Sequence, residues 1–543
     1  MSDPSQGWLL ATWAWPLALL LACTWPTARR LMPQLLALAP LPALAAALFA
    51  GGAPRVSIGS RSLELLFGLD APGALLLGVA ALLWIAAGAY AGRYLRDGAH
   101  AGRFAACWLL AAAGCLGLFV AADLVSLYAM LAMMTIGAGG LVIHDGTPRA
   151  WRAGATYVGL ALLGESVLLV GLVMLAVAMP GPGLGVDEAA ATLAASPQRG
   201  TILALLVFGF GLKAGLVPLH VWMPLAHSAA PVPASVVLSG ADVKAGIIGL
   251  IRFLPAGEAL PAAGQLLAVA GFVTAFYGVG IGLTQRHPKA VLAYSSVSQM
   301  GVVVAVLGLG LAAGDGKAGM AAAFYAAHHV LVKGALFLAV GVAAAGTSGR
   351  RGWVLAPALL LCLGLGGLPL TGGAIAKFAT KDAFGTSITA ALSAASAAGT
   401  TLLMLHFLRR LALAEVKGAG PAPAGLLLPW LAMAAAALVL PWLLYGQAGL
   451  GSAAAALGLD ATWQALWPVA AGAALAIALR ERADRLPAIP EGDIAAGLGP
   501  ALRISQRLGA RLEGLDCVAR RWTVASVALV LVAIAIGWTL LPG

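Results

Sequence analysis

In this chain of 543 residues, 61% are hydrophobic and only 10% charged, and the mean hydropathy is +0.95. A soluble globular protein carries roughly 25% charge, so a water-soluble single domain is excluded. The net charge of +11, from 32 Lys and Arg against 21 Asp and Glu, is spread thinly over short connectors. Without a basic, aromatic-interleaved patch, a nucleic-acid-binding domain is excluded too.

Apolar stretches of about 18 residues or more, long enough to cross a bilayer as helix, recur from Trp13 to Leu541. The pattern predicts about sixteen spans, at roughly residues 10–28, 31–51, 72–92, 103–122, 124–143, 155–179, 201–219, 233–253, 264–285, 290–313, 320–345, 353–376, 385–408, 425–445, 461–479 and 522–541. The fold class is therefore an all-α polytopic membrane protein. The first run, Trp13–Trp25, follows a start with Asp3 and no Lys or Arg. It lacks the positive leader of a signal peptide and is expected to be a retained first span.

Loops after spans 1, 3, 5, 9, 11 and 13 hold fourteen basic residues: Arg29, Arg30, Arg93, Arg96, Arg103, Arg149, Arg152, Arg286, Lys289, Arg350, Arg351, Arg409, Arg410 and Lys417. The even-numbered loops hold five, namely Arg55, Arg61, Arg199, Arg252 and Lys317. This bias predicts cytoplasmic odd loops and both termini outside. Between about 480 and 521 lies the one long polar stretch. Its second half sets Ile504, Leu508, Leu512 and Leu515 at helical spacing beside arginines, which reads either as a cytoplasmic interfacial helix or as an ordinary connector. The five cysteines, Cys23, Cys107, Cys115, Cys362 and Cys517, are scattered without a CxxC pair or a metal-ligand spacing. They are expected to be packing residues, with no metal or redox cofactor held by this chain.

The chemistry concentrates where charge is most costly. Glu165 lies in span 6, Lys213 in span 7, Asp242 and Lys244 in span 8, His328, His329 and Lys333 in span 11, and Lys377 beyond a glycine-rich break in span 12. Each ionised side chain in hydrocarbon costs at least roughly 2.5–3.5 kcal/mol, so partners or water must compensate. An ammonium in a poorly hydrated interior loses proton affinity and a nearby carboxylate restores it. Lysines beside histidine and glutamate thus form a plausible proton wire. His329 and Lys333 are four apart on one helical face. The alternatives are satisfied polar residues at a helix crossing for the histidines, and static charge pairs bracing the bundle for Lys213, Lys244 and Lys377.

Two helix breaks sit beside these lysines. Pro218 follows Lys213 by five residues, and the run Gly364–Gly373, with Gly367 and Pro369, precedes Lys377. Proline removes a backbone donor and glycine relaxes the chain, which is tolerated at membrane depth only where protein or water satisfies the backbone. Two Lys-bearing breaks five helices apart suggest two inverted five-helix repeats.

Four long stretches carry a family resemblance. FGLKAGLVPLHVWMPLAHSAAPVPAS (Phe210–Ser235), followed by LSGADVKAG (Leu238–Gly246), closely resembles the antiporter-like membrane subunits shared by respiratory complex I, membrane-bound hydrogenases of the formate hydrogenlyase type and multisubunit cation/proton antiporters. HPKAVLAYSSVSQMG (His287–Gly301), HVLVKGALF (His329–Phe337) and GLPLTGGAIAKF (Gly367–Phe378) are similar to further motifs of that family, in family order. The resemblance covers about residues 103–410. It implies fourteen core helices, within a total of about 14–16, with two inverted five-helix repeats and broken helices 7 and 12. The implied domains are 1–102 (helices 1–3), 103–253 (first repeat), 264–408 (second repeat) and 425–543 (C-terminal helices with the segment 480–521). It matches Lys213 to the lysine of the first broken helix, Lys244 to the connecting lysine, His329 and Lys333 to the polar pair of span 11, and Lys377 to the charged residue of the second broken helix. With Glu165 these are the expected proton-translocation residues; Asp242, His220, His328 and Lys381 are secondary candidates.

Two departures stand out. The family usually places a glutamate in the fifth span as partner to the seventh-span lysine, and in DLVSLYAMLA (Asp123–Ala132) the matching position is Ala132. Glu165 is the candidate replacement, with Asp242 the alternative. His287 stands where an acidic residue commonly precedes the lysine-bearing motif.

The resemblance implies a proton-translocating subunit of a redox-driven complex in a bacterial inner membrane, either hydrogenase or quinone-linked dehydrogenase. The wording AHSAAP (Ala226–Pro231) and LSG (Leu238–Gly240) leans towards hydrogenase. Partners would be other membrane subunits, including further antiporter-like ones, and a redox module; no cofactor is implied here. The competing functions are a cation/proton antiporter or energy-coupled solute-uptake subunit, and a structural anchor with a decayed channel.

Overall fold

The computed structural model describes residues 4–494 apart from 61–62, 97, 99, 181–183, 256, 347–351, 417–419 and 481–485. Residues to Glu491 form one compact unit; a second begins at Gly492. The expected interfacial helix at 502–521 and the last span at 522–541 lie outside the described residues.

The chain begins with α1 (Pro4–Ala22), α2 (Pro26–Leu35) and α3 (Leu41–Phe49), the last two joined by a 3-10 turn. A two-stranded antiparallel hairpin follows, β1 (Val56–Ser60) and β2 (Leu63–Phe67). Next come α4 (Ala71–Tyr94), α5 (Ala101–Val120), α6 (Leu124–Val142), α7 (Pro148–Ala178) and a short α8 (Val186–Ala195). The first interrupted span is α9 (Arg199–Ala214) with α10 (Trp222–Ala229), and the next is α11 (Val232–Val237) with α12 (Lys244–Phe253). Then follow α13 (Pro261–Thr284), α14 (Pro288–Ala313) and α15 (Ala318–Ala345). The third interrupted span is α16 (Gly352–Gly366), α17 (Gly372–Ala379) and α18 (Lys381–Phe384), before α19 (Ile388–Leu413), α20 (Ala424–Gln447) and α21 (Leu459–Ala478).

Among the described residues, 13 helices are long and apolar enough to cross a membrane. The architecture is that of a polytopic helical membrane protein. The sequence pattern alone did not anticipate the hairpin or α8. Nor did it show that the second half of the first broken span, as far as Ala229, belongs to the bundle.

Burial sorts the helices by chemistry. The most apolar windows of Val232–Phe253 and α15 are each 94% buried, and that of α14 is 83% buried, whereas that of α21 is only 17% buried. These three innermost spans carry Lys244, Lys289, His328, His329 and Lys333. Small residues let them close up: a Cβ on Gly271 of α13 would lie 2.5 Å from the Ala305 nitrogen of α14. A Cβ on Gly246 of α12 would lie 2.5 Å from the Ala214 nitrogen, one residue beyond Lys213. Such backbone proximity is how membrane helices gain packing energy without a hydrophobic drive.

One end of the bundle is fastened by two acidic caps. Asp123 Oδ1 accepts from the Val125 and Ser126 nitrogens, both at 2.8 Å, and Oδ2 accepts from Leu66 N of β2 at 2.6 Å. It thereby caps α6 and ties the hairpin to it. Asp70 caps α4 through Gly73 N at 2.8 Å and pairs with Arg252 Nε at 2.9 Å. Partial desolvation pushes the Asp70 carboxyl, still 41% exposed, up, but the Arg252 charge and these hydrogen bonds outweigh it and hold it below the ordinary carboxylate range. Arg252 also donates to the carbonyls of Leu118, Phe119 and Ala121, closing the C-terminal end of α5.

Asp123→Ala is expected to lower stability by about 1–2 kcal/mol through loss of the cap alone, with the hairpin anchor lost in addition. Thermal unfolding of the detergent-solubilised protein measures this, and Asp123→Asn should recover most of the loss.

Candidate functional site

The break after α9 places Lys213. Gly215 takes a left-handed φ of +81°, which ends the helix, and the Val217–Pro218 peptide is cis. The freed backbone groups find protein partners: Trp222 Nε1 donates to Leu212 O at 2.9 Å, and Val217 N donates to Thr274 Oγ1 at 3.1 Å. Lys213, only 4% exposed, projects from the last turn of α9 towards α6 and α7. Its ammonium lies 3.8 Å from Glu165 Oε1 and donates to Thr135 Oγ1 at 2.8 Å. Thr135 donates in turn to Glu165 Oε1. Glu165 thus reaches Lys213 from the neighbouring helix, with Thr135 between them.

A second carboxylate joins through Tyr157 of α7. Lys213 Nζ donates to the Tyr157 hydroxyl at 3.4 Å, and that hydroxyl donates to Asp242 Oδ2 at 3.3 Å. Asp242 ends a π-helical turn, Leu238–Asp242, inserted between α11 and α12. Such bulges are frequent at functional sites. The residues that follow point differently: Lys244 Nζ donates to Ser239 O at 2.9 Å and pairs with His329 Nδ1 at 2.7 Å. Asp242 and Lys244, two residues apart, face different neighbours and make no direct contact by hydrogen bond.

From His329 the polar line follows α15. Lys333, one turn on, donates to Leu292 O of α14 at 2.8 Å and to Ser295 Oγ. Lys244, His329 and Lys333 are all 0% exposed. One turn to the other side of His329 on α15, Tyr325 donates to Gln299 Oε1 at 2.7 Å, and Gln299 Nε2 donates to Thr400 Oγ1 at 2.9 Å. Lys377 lies over the Tyr325 ring, 5.8 Å from its centroid.

The second break positions Lys377. Gly367 adopts a φ of +107°, the chain turns through Pro369, and Thr371 Oγ1 donates to Leu368 O at 2.6 Å. His328 packs against Gly372 and Gly373 at the start of α17. Lys377 is half-buried and Lys381 exposed. Both line a cleft of about 470 Å³ whose wall includes Thr386, Ser393, Gln464 and Trp467.

His220 is buried against the rings of Tyr277 and Tyr294, with centroids at 5.1 and 6.1 Å. Sequence reasoning passed over His227, which is fully buried, and did not count Lys289 among the site residues. Lys289 donates to Ala230 O and to Ser235 Oγ, the latter at 3.2 Å. It also passed over the hydroxyl and amide groups of Thr135, Tyr157, Ser239, Ser295, Ser296, Gln299, Tyr325 and Thr400. Their faint signal was polarity inside apolar spans. Next to Lys289, desolvation and the charges of Lys289 and Arg149 push the His287 imidazole, which is exposed at the surface, below the ordinary histidine range.

Together these features describe a multi-pass membrane protein whose core holds a line of buried ammonium, imidazole and carboxylate groups across two broken helices. The chain belongs to the NADH:quinone oxidoreductase/Mrp antiporter transmembrane family, whose model matches residues 121–405. It is 30% identical over 356 residues to hydrogenase-4 component B of Escherichia coli K12, an alignment covering 58% of this chain and 50% of that protein. It is 33% identical over 285 residues to NADH-quinone oxidoreductase subunit N of Desulforudis audaxviator, covering 51% of this chain and 56% of the relative. The chain thus spans about half the length of these relatives. In fold it is similar to a chain of the Mrp complex from Dietzia sp. DQ12-45-1b, with a TM-score of 0.78 and 24% identity, covering 99% of this chain and 63% of that one.

His329→Phe should leave the Lys244 ammonium without its imidazole partner and lower stability by about 1–3 kcal/mol. His329→Gln, which can still accept, should retain most of that. Thermal unfolding of the three proteins in one detergent checks the order.

Proposed function

We propose that this chain is the proton-translocating membrane subunit of a multisubunit, redox-driven complex in a bacterial cytoplasmic membrane. The observation that carries the reading is the Lys213 ammonium held 3.8 Å from Glu165 at a helix break, at the head of a line of buried basic groups. A driving event in a partner weakens the Lys213–Glu165 attraction, and Lys213 releases a proton towards Lys244. The proton passes through the His329 and Lys333 region, and Lys377 exchanges it with the opposite side at the cleft it shares with Lys381. Opening and closing of the pair acts as a two-state electrostatic switch and needs no large rocking motion. The chain itself performs no electron transfer; that chemistry belongs to partner subunits.

The architecture behind this reading is two inverted five-helix repeats, residues 103–253 and 264–408, with 1–102 and 425–543 as flanking units and both termini outside. It is supported by the placement of Lys213 just before one break and Lys377 just after the other. The names of the relatives, a hydrogenase component and an NADH-quinone oxidoreductase subunit, support a redox module and sister membrane subunits as partners. A second reading, a subunit of a cation/proton antiporter, draws on the likeness to the Mrp complex over 99% of the chain. A reading as an inert anchor rested on Ala132, and the reach of Glu165 to Lys213 argues against it.

In the native complex reconstituted into vesicles, Lys213→Ala and Glu165→Gln should each reduce coupled proton uptake at least tenfold, about 1.4 kcal/mol of coupling, with assembly intact. Unchanged uptake in both variants refutes the reading. Uptake that requires sodium or potassium without any redox substrate favours the antiporter.

A further inference from the structure

Lys213 is the meeting point of two arms of matching build. On one side the ammonium donates to the Thr135 hydroxyl at 2.8 Å, and that hydroxyl donates to Glu165. On the other it donates to the Tyr157 hydroxyl at 3.4 Å, and that hydroxyl donates to Asp242 at 3.3 Å. Each arm is therefore ammonium, hydroxyl, carboxylate. The first is tight and the second is at the long end of the hydrogen-bond range. Glu165, Lys213 and Asp242 are 6%, 4% and 3% exposed, so the cluster exchanges little charge with bulk solvent. Two carboxylates against one ammonium give it a net charge of minus one, and one added proton makes it neutral. The Asp242 Oδ1 atom, buried, has no hydrogen-bond partner among the described residues.

We infer that Tyr157 and Asp242 form the outgoing arm of a two-position switch at Lys213, with Asp242 the carboxylate that takes the proton on its way to Lys244. This rests on the proton-translocating reading and names the step within it. When Lys213 leaves Thr135 and closes on Tyr157, its Nζ–H proton passes to the Tyr157 oxygen as the Tyr157 proton passes to Asp242 Oδ2. Lys213 is then a neutral amine, Tyr157 is unchanged and Asp242 is a neutral acid. Once Lys244 has passed its own proton to His329 Nδ1 and stands as a neutral amine, Asp242 yields its proton to it through a bridging water, Lys244 becomes ammonium again, and Asp242 returns to carboxylate. The π-helical turn lets one short segment serve both sides, with Asp242 facing Tyr157 and Lys244 facing His329. Tyr157 is a positioning and relay residue whose ring also lies under the ammonium, 5.5 Å from its centroid.

The test uses the native complex in vesicles, comparing Asp242→Asn, Asp242→Glu and Tyr157→Phe with the unaltered protein. Two quantities are read: coupled proton uptake, and the infrared difference spectrum of carboxyl C=O stretching between driven and resting states in H2O and D2O. The inference expects Asp242→Asn to lose at least tenfold in uptake and to remove one deuterium-sensitive carboxylic acid band. Asp242→Glu should recover most of both, and Tyr157→Phe should slow uptake while keeping the band. Full uptake in Asp242→Asn overturns the outgoing arm and leaves the Lys213–Glu165 reading standing. A loss of uptake in Asp242→Asn with the band intact, or a loss that Asp242→Glu does not repair, also overturns it, since either outcome marks Asp242 as structural. Absence of proton uptake in the unaltered complex removes the underlying reading instead.

Discussion

The fold is organised around the cost of placing ammonium groups in hydrocarbon. Of four lysines, Lys213, Lys244 and Lys333 sit inside spans that otherwise meet the apolar requirement and Lys377 sits in the short helix after the second break, and an unpaired charge there would cost several kcal/mol. The structure meets the cost locally in a different way at each. Lys213 has hydroxyl-bridged carboxylates, Lys244 a backbone carbonyl and an imidazole, Lys333 a carbonyl and a serine, and Lys377 the face of an aromatic ring. Three of the four solutions are neutral. A neutral partner lets a proton leave without abandoning an opposite charge, whereas the acidic partners at Lys213 make that position the natural place for control.

The broken helices follow from the same constraint. A regular helix engages its own carbonyls, so an ammonium borrows backbone acceptors most readily where the helix is interrupted or bulged, although Lys333 also reaches Leu292 O within the unbroken α14. Lys244 takes Ser239 O from within the π-helical turn. Near Lys213 the interruption is closed by Trp222 and Thr274, which keeps the loosened backbone satisfied at membrane depth. Glycine brings α12 against α9, so that Lys213 and the Asp242 turn come from helices in close contact. Sequence, backbone geometry and charge placement thus serve one purpose: holding titratable groups close, buried and only just satisfied.

Much of this was legible in the sequence. Hydropathy gave the class and most span positions, because a bilayer imposes a length that composition records directly. The charged members of the axis were legible for the same reason, since Lys213, Lys244, Lys333 and Lys377 are conspicuous in apolar runs. Glu165 was singled out as the replacement for a carboxylate lacking at Ala132, and its distance to Lys213 bears on that choice directly. The hydroxyl bridges were not legible. Thr135 and Tyr157 cost little to bury, so nothing in their spans distinguishes them from the many other Ser, Thr and Tyr residues of the chain. Asp242 and Lys244 face different neighbours, as their two-residue spacing implies; the spacing does not show the π-helical turn that sets Asp242 against Tyr157. The hairpin and α8 fall in polar connectors where no bilayer length is imposed.

The central claim is that these groups communicate as one hydrated path. The most direct test is a high-resolution cryo-electron microscopy map of the native complex, read for ordered water along the axis. The account predicts water within hydrogen-bond distance of Asp242 Oδ1 and of His329 Nε2, reaching Lys333 in one direction along α15 and, past Tyr325, the cleft at Lys377 in the other. Apolar side chains sealing Asp242 from Lys244, or Lys333 from Lys377, with no water between them, would contradict it.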